Sequence, residues 1–173
     1  MQVRPLAIGL ALAAAALAAQ PAFGRWRENT LTLKTPTSSA PQTVRSRLYV
    51  LPGEVVEVSV RGRAARFPGD GPADFRGQPL HCGTNRAQPT LCNLTLYCFV
   101  AGRTDGPDGE VIARKDRYMS YHHPMVRREP DGFAWTAQDA GFVHCGIHAV
   151  HVGEQSQGGF TVHITIAEGA PAP

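Results

Sequence analysis

Beyond residue 25 the chain runs in short stretches of alternating or β-branched residues, cut by 16 glycines and 12 prolines, and a helical period is absent from it. The clearest alternation is near the end, where Phe160, Val162, Ile164 and Ile166 share one parity and Thr161, His163 and Thr165 the other. The pattern predicts strands over Thr30 to Lys34, Arg47 to Leu51, Val55 to Arg61, Leu94 to Val100, Glu110 to Arg114, Phe133 to Thr136, Gly141 to Val152 and Phe160 to Ala167. Turns fall at Pro52-Gly53, Pro68 to Pro72, Gly106 to Gly109, Pro130 to Gly132 and Gly153 to Gly159. Many short strands between such turns read as an all-β, antiparallel β-sandwich.

The N-terminus breaks this pattern. Met1 to Arg4 is short and basic, Leu6 to Ala19 is an apolar run, and Gln20 to Gly24 ends in small residues, which is the order of a secretory signal peptide over 1–24. The run is shorter than the roughly 20 residues that span a bilayer, so a cleaved signal helix is expected, with no integral membrane segment in the mature chain. The remainder fits one sandwich domain, 25–168, and a disordered tail, 169–173. A Pro-, Gly- and Asp-rich stretch from Phe67 to Pro89 is either a long loop or the boundary of a looser N-terminal half, 25–90.

Without Arg4 the chain holds 16 basic and 14 acidic residues, and its basic clusters are short and mixed with acids. A solvated surface accounts for them, and nucleic acid is not an expected partner. The cysteines Cys82, Cys92, Cys98 and Cys145 are even in number, as in disulfide-bonded exported proteins, and they lack the paired C-x-x-C knuckles of a zinc site. Three pairings are open. A Cys82–Cys92 bridge would staple the Phe67 to Pro89 stretch, contributing about 3 kcal/mol by the chain-entropy model. The expected compartment is periplasmic or secreted.

Two resemblances refine the fold. Asp139-Ala-Gly-Phe-Val-His-Cys145 resembles the D-x-G-x-Y-x-C corner of immunoglobulin-like domains, and Leu94-Thr-Leu-Tyr-Cys98-Phe-Val100 looks like the strand that carries their first cysteine, 47 positions earlier. The resemblance implies an inter-sheet Cys98–Cys145 disulfide, leaving Cys82 to Cys92, in an immunoglobulin-like Greek key. Here Val143 stands where the family has its corner tyrosine. Cys145-Gly-Ile-His148 is similar to the copper-ligating segment of cupredoxins, which implies a cupredoxin-like Greek key and a free thiolate at Cys145; the family's methionine is missing.

Candidate chemistry sits in the histidines. His144, His148, His151 and His163 fall in the last two predicted strands, read as a hairpin closed by Gly153 to Gly159. A β-bulge near His148 or Ala149 restores the apolar parity and puts these histidines on one outer face, with His151 opposite His163, where they form a candidate copper or zinc site. Met119-Ser-Tyr-His-His-Pro-Met125 offers further copper-suited ligands. No nucleophile elbow, H-E-x-x-H or paired acids stand out, so the expected protein is no enzyme. Asn93-Leu-Thr95 matches a glycosylation sequon. Together these features point to an exported immunoglobulin-like binding or structural module that meets a protein or other component of the cell envelope without a cofactor. A cupredoxin-like metal binder is the alternative.

Overall fold

The structure, a computed structural model, describes residues 27–38, 42–78, 92–101, 118–149 and 152–167. The signal segment, the tail, Cys82, His151 and the expected strand from Glu110 to Arg114 lie outside them. The described residues form strands and turns with no helix, so none is long and apolar enough to cross a membrane. The expected all-β architecture of two antiparallel sheets is present.

In chain order the strands are β1 (Arg27–Lys34), β2 (Thr43–Val50), β3 (Val55–Ala65), β4 (Thr95–Ala101), β5 (Met119–Ser120), β6 (Arg127–Glu129), β7 (Gly132–Thr136), β8 (Gly141–His148) and β9 (Gln157–Ala167). Their pairing is nested: β1 with β9, β2 with β8, β3 with β7, β4 with β5. The chain is thus one long hairpin whose arms lie side by side. Rolling it brings β9 onto β3 and β8 onto β4, which gives a five-stranded sheet β1-β9-β3-β7-β6 and a four-stranded sheet β2-β8-β4-β5. This is the jelly-roll closure of an antiparallel sandwich.

Alternation along the strands fills the space between the sheets. Val56, Val58 and Val60 of β3 and Phe160, Val162, Ile164 and Ile166 of β9 point inward with Leu31, Leu33, Phe133 and Trp135, against Leu96, Val143 and Ile147 of the other sheet. Strands from both ends of the chain therefore share one core, and β1 to β3 pair along it with β9, β8 and β7.

Two local expectations are corrected. β8 and β9 are not a hairpin: they belong to opposite sheets, with Gly153 to Ser156 in the connection between them and Gln157 to Gly159 already part of β9. Nor does β8 slip near His148, because it pairs with β4 in unbroken register through Thr95 opposite His148. The bulge lies on β2, where Arg45 faces His144 but Tyr49 faces Phe142. Buried Ser46 fills that irregularity, its Oγ accepting from the Leu48 amide at 3.1 Å.

Cys98 and Cys145 are bonded to each other, but within one sheet. They stand directly opposite on β4 and β8, with Cα atoms 4.1 Å apart, the close spacing of a non-hydrogen-bonded antiparallel pair. The inter-sheet bridge of the immunoglobulin-like expectation is thereby corrected: both cysteine strands fall in the same sheet because the rolled hairpin lays β8 beside β4. Closing a span of 47 positions, the bond stabilises the fold by about 4 kcal/mol in the chain-entropy model. Cys92 is buried and also disulfide-bonded.

β7 crosses β3 at its tightest point at Gly132, where an added Cβ would collide with the Val58 carbonyl. Gly132→Ala should therefore push β7 off β3 and cost about 3 kcal/mol or more, read as a lower urea midpoint. Gly71→Ala, whose Cβ meets nothing within 4 Å, should stay within about 0.5 kcal/mol of the wild type. Equal midpoints for the two variants would refute this register.

Candidate functional site

A sandwich has two outer faces, and here they differ sharply. On the four-stranded sheet β4 sends Tyr97, Phe99 and Ala101 outward beside Gly146, His144 and Phe142 of β8. These residues do not form a solvated row. Phe99 stacks on the His144 ring at 5.2 Å between centroids and 6° between planes, and Tyr118 packs at 4.6 Å from Tyr97 and 5.2 Å from Phe99. Tyr97, Phe99 and His144 are all buried, 3%, 1% and 3% exposed. Further along, Phe142 meets Tyr49 edge to face at 5.2 Å, and the Arg45 guanidinium lies 4.9 Å over its ring.

His144 is unusual in that setting. Its Nε2 is buried and has no hydrogen-bond partner among the described residues. Burial, followed by the nearby charge of Arg45, pushes its pKa down to about 4, so the ring is neutral at pH 7. His148, half-buried at the end of β8, is lowered too, again by burial. Desolvation likewise raises the hydroxyl pKa values of Tyr97 and Tyr118.

The outer face of the five-stranded sheet is polar and exposed. Across it Glu28, Thr165, Glu57, Ala134 and Arg127 form one cross-strand row, and Thr30, His163, Ser59 and Gly132 the next. Because Ala134 and Gly132 are small, a cleft of about 380 Å3 opens between β3, β7 and β6, lined by Glu57, Ser59, Arg127, Glu129, Asp131 and Thr165. Arg127 forks across it, 3.0 Å from Glu57 and 2.7 Å from Glu129. His163 stands beside the cleft, with Nδ1 3.1 Å from Thr30 Oγ1 and Nε2 3.5 Å from a Glu28 carboxylate oxygen.

The expected histidine face is therefore corrected. His144 and His148 look outward from one sheet and His163 from the other, so the sandwich thickness separates them. Among the described residues no group of three or more His, Cys, Asp or Glu is placed to hold a metal ion. Cys145, held in a disulfide, is not the thiolate that the cupredoxin-like ligand set needs.

The Met119 to Met125 motif also diverges. Met119 is buried in the core, His122 Nε2 donates to the Arg76 carbonyl at 2.9 Å, His123 Nδ1 accepts from the Met125 amide at 3.2 Å, and Met125 is exposed. Tyr121 is instead the centre of a stack, with Arg76 at 4.9 Å and Arg128 at 5.6 Å from its ring. Ser156 is a turn residue, donating to the Arg66 carbonyl at 3.0 Å and accepting from the Gly153 amide at 3.3 Å. The sequon residue Asn93 is buried and its amide donates to Gln78 at 3.2 Å, so an oligosaccharide has no room there in the folded chain.

Sequence reasoning missed the buried aromatic cluster of Tyr97, Phe99 and His144, although a signal existed. Leu96, Cys98 and Val100 alternate with Tyr97, Phe99 and Ala101, so β4 is apolar on both parities, which marks a strand covered on both sides. No protein-family model and no curated protein matches the chain.

His144 makes stability depend on pH. Its folded pKa is below the unfolded value of about 6.5, so stability is full above that pH and falls as pH drops towards 4, by up to about 3 kcal/mol. His148 acts in the same direction. Urea titrations should show this acid limb in the wild type and a shallower one in His144→Phe, and an unchanged limb in the variant would contradict the assignment.

Proposed function

We propose that this chain is exported into an oxidising compartment, periplasmic or extracellular, and acts there as a non-enzymatic β-sandwich module that binds a component of the cell envelope. The N-terminal sequence reads as an export signal, and a buried cross-strand disulfide suits the compartment to which such a signal leads.

One observation carries the binding role. On the outer face of the four-stranded sheet the middle is buried around Tyr97, Phe99 and His144, whereas the outer face of the five-stranded sheet is polar and carries a cleft. A sheet covered on one side alone is enough for an antiparallel sandwich, so the open face is free to meet a partner. Its side chains are hydrogen-bonding and charged groups, which recognise polar ligands by direct contact. The open face of rigid strands also holds its groups at fixed spacing, which lowers the ordering cost of binding.

Expression of the full chain in a Gram-negative host, followed by fractionation and intact-mass analysis, tests the proposal. The expected product is periplasmic, begins at Arg25 and carries Cys98 linked to Cys145 in non-reduced peptide maps. An uncleaved chain in the cytoplasm with reduced cysteines would overturn it.

A further inference from the structure

The open face ends in a cationic trough. At the C-terminal end of β3 one cross-strand row reads Lys34, Gly159, Arg63, and the row beside it reads Thr32, Thr161, Arg61. Neighbouring strands are about 4.8 Å apart, so Lys34 and Arg63 rise roughly 10 Å from each other with the bare backbone of Gly159 between them. Arg61 and Arg63 are about 7 Å apart along their strand. All three cations are exposed, and none has an acidic partner among the described residues.

The floor is bare by necessity. A Cβ at Gly159 would strike the Leu33 carbonyl and one at Gly62 would strike the Gly159 carbonyl, so β1, β9 and β3 reach this closeness only without side chains there. Unpaired cations around a fixed, open floor are what an anionic ligand needs. The acids of the face lie elsewhere: Glu28 and Glu57 share the row at the opposite end, and Glu129 and Asp131 line the cleft, where Arg127 is already engaged.

We infer that this trough binds an anionic polysaccharide, with Lys34, Arg61 and Arg63 meeting its acidic substituents and Thr30, Thr32 and Thr161 meeting its hydroxyls. This deepens the binding role proposed above and rests on it. The chemistry of the face selects the partner. Single-stranded nucleic acid is held by stacking on aromatic side chains, and these rows have none. A membrane surface is held by inserted apolar side chains as well as charge, and the exposed large apolar residues Val44, Tyr49, Leu51 and Met125 are not on these rows. Phe67 lies beyond the end of β3 with Arg66 at 4.9 Å over its ring.

The test is titration calorimetry of the mature, disulfide-bonded protein with dextran sulfate, neutral dextran and phosphatidylglycerol vesicles at low salt. Dextran sulfate should bind, neutral dextran should not, and the vesicles should bind at least tenfold more weakly. Arg61→Gln/Arg63→Gln should weaken the dextran sulfate affinity about tenfold or more, while Arg45→Gln/Arg47→Gln, an equal loss of charge on β2, should change it less than twofold. Equal weakening by the two variants, equal binding of neutral dextran, or preferential binding of vesicles would each overturn the assignment. Export and disulfide formation are read separately, so a chain that is exported and oxidised but indifferent to dextran sulfate refutes this inference and leaves the export reading standing.

Discussion

The pairing of β4 with β8 is the constraint on which the rest of the molecule depends. Register at this ladder sets Cys98 against Cys145 on the inner side and Phe99 against His144 on the outer side. A slip of one residue would exchange the two faces, sending the cysteines to the outside and the aromatic rings into the core. The disulfide makes that slip covalently impossible, and Leu96 opposite Ile147 and Val100 opposite Val143 extend the same register into the packed interior. Because β8 also carries β2, and β4 carries β5, the whole four-stranded sheet inherits its alignment from this pair.

The asymmetry of the sandwich is a consequence of that register. With Tyr97, Phe99 and His144 outward and buried, β4 and the middle of β8 are covered on both sides, at the cost of an imidazole nitrogen without a partner among the described residues. A buried polar atom of this kind costs on the order of 1–3 kcal/mol, which the surrounding ring stacking offsets. The five-stranded sheet has the ordinary one-sided pattern, and its outer face keeps its threonines, its charged residues and His163 in contact with solvent. The proposed recognition is assigned to that side for a physical reason: its polar groups are solvated in the free protein, so a ligand would exchange with water without first prising side chains apart.

Much of this was legible in the residues, and the rest was hidden for identifiable causes. The period of two along Val55 to Arg61 and Phe160 to Ala167 located the two longest strands, and the turn residues located their ends to within a few positions. The immunoglobulin-like resemblance picked out the Cys98–Cys145 pair, yet placed it between opposing sheets, because separation along the chain does not say which strands become neighbours. The same gap explains the histidines. A Gly-rich connection between two apolar strands looks alike whether it closes a hairpin or turns a corner between sheets, and only the tertiary pairing of β9 with β1 and β3 decides. β5 and β6 are two and three residues long, too short for any period to show. The cationic trough was invisible as a unit, since Lys34, Arg61, Arg63 and Gly159 meet only through strand pairing.

The difference between the two faces rests on the placement of the disulfide inside one sheet, and nuclear Overhauser spectroscopy of the oxidised protein reads that placement directly. In a non-hydrogen-bonded antiparallel pair the two Hα atoms face each other across the ladder. A strong Hα–Hα cross-peak between Cys98 and Cys145 is the predicted result. Its absence, with Cys98 showing contacts instead to strands of the five-stranded sheet on both sides of its backbone, would contradict the shared register and the asymmetry built on it.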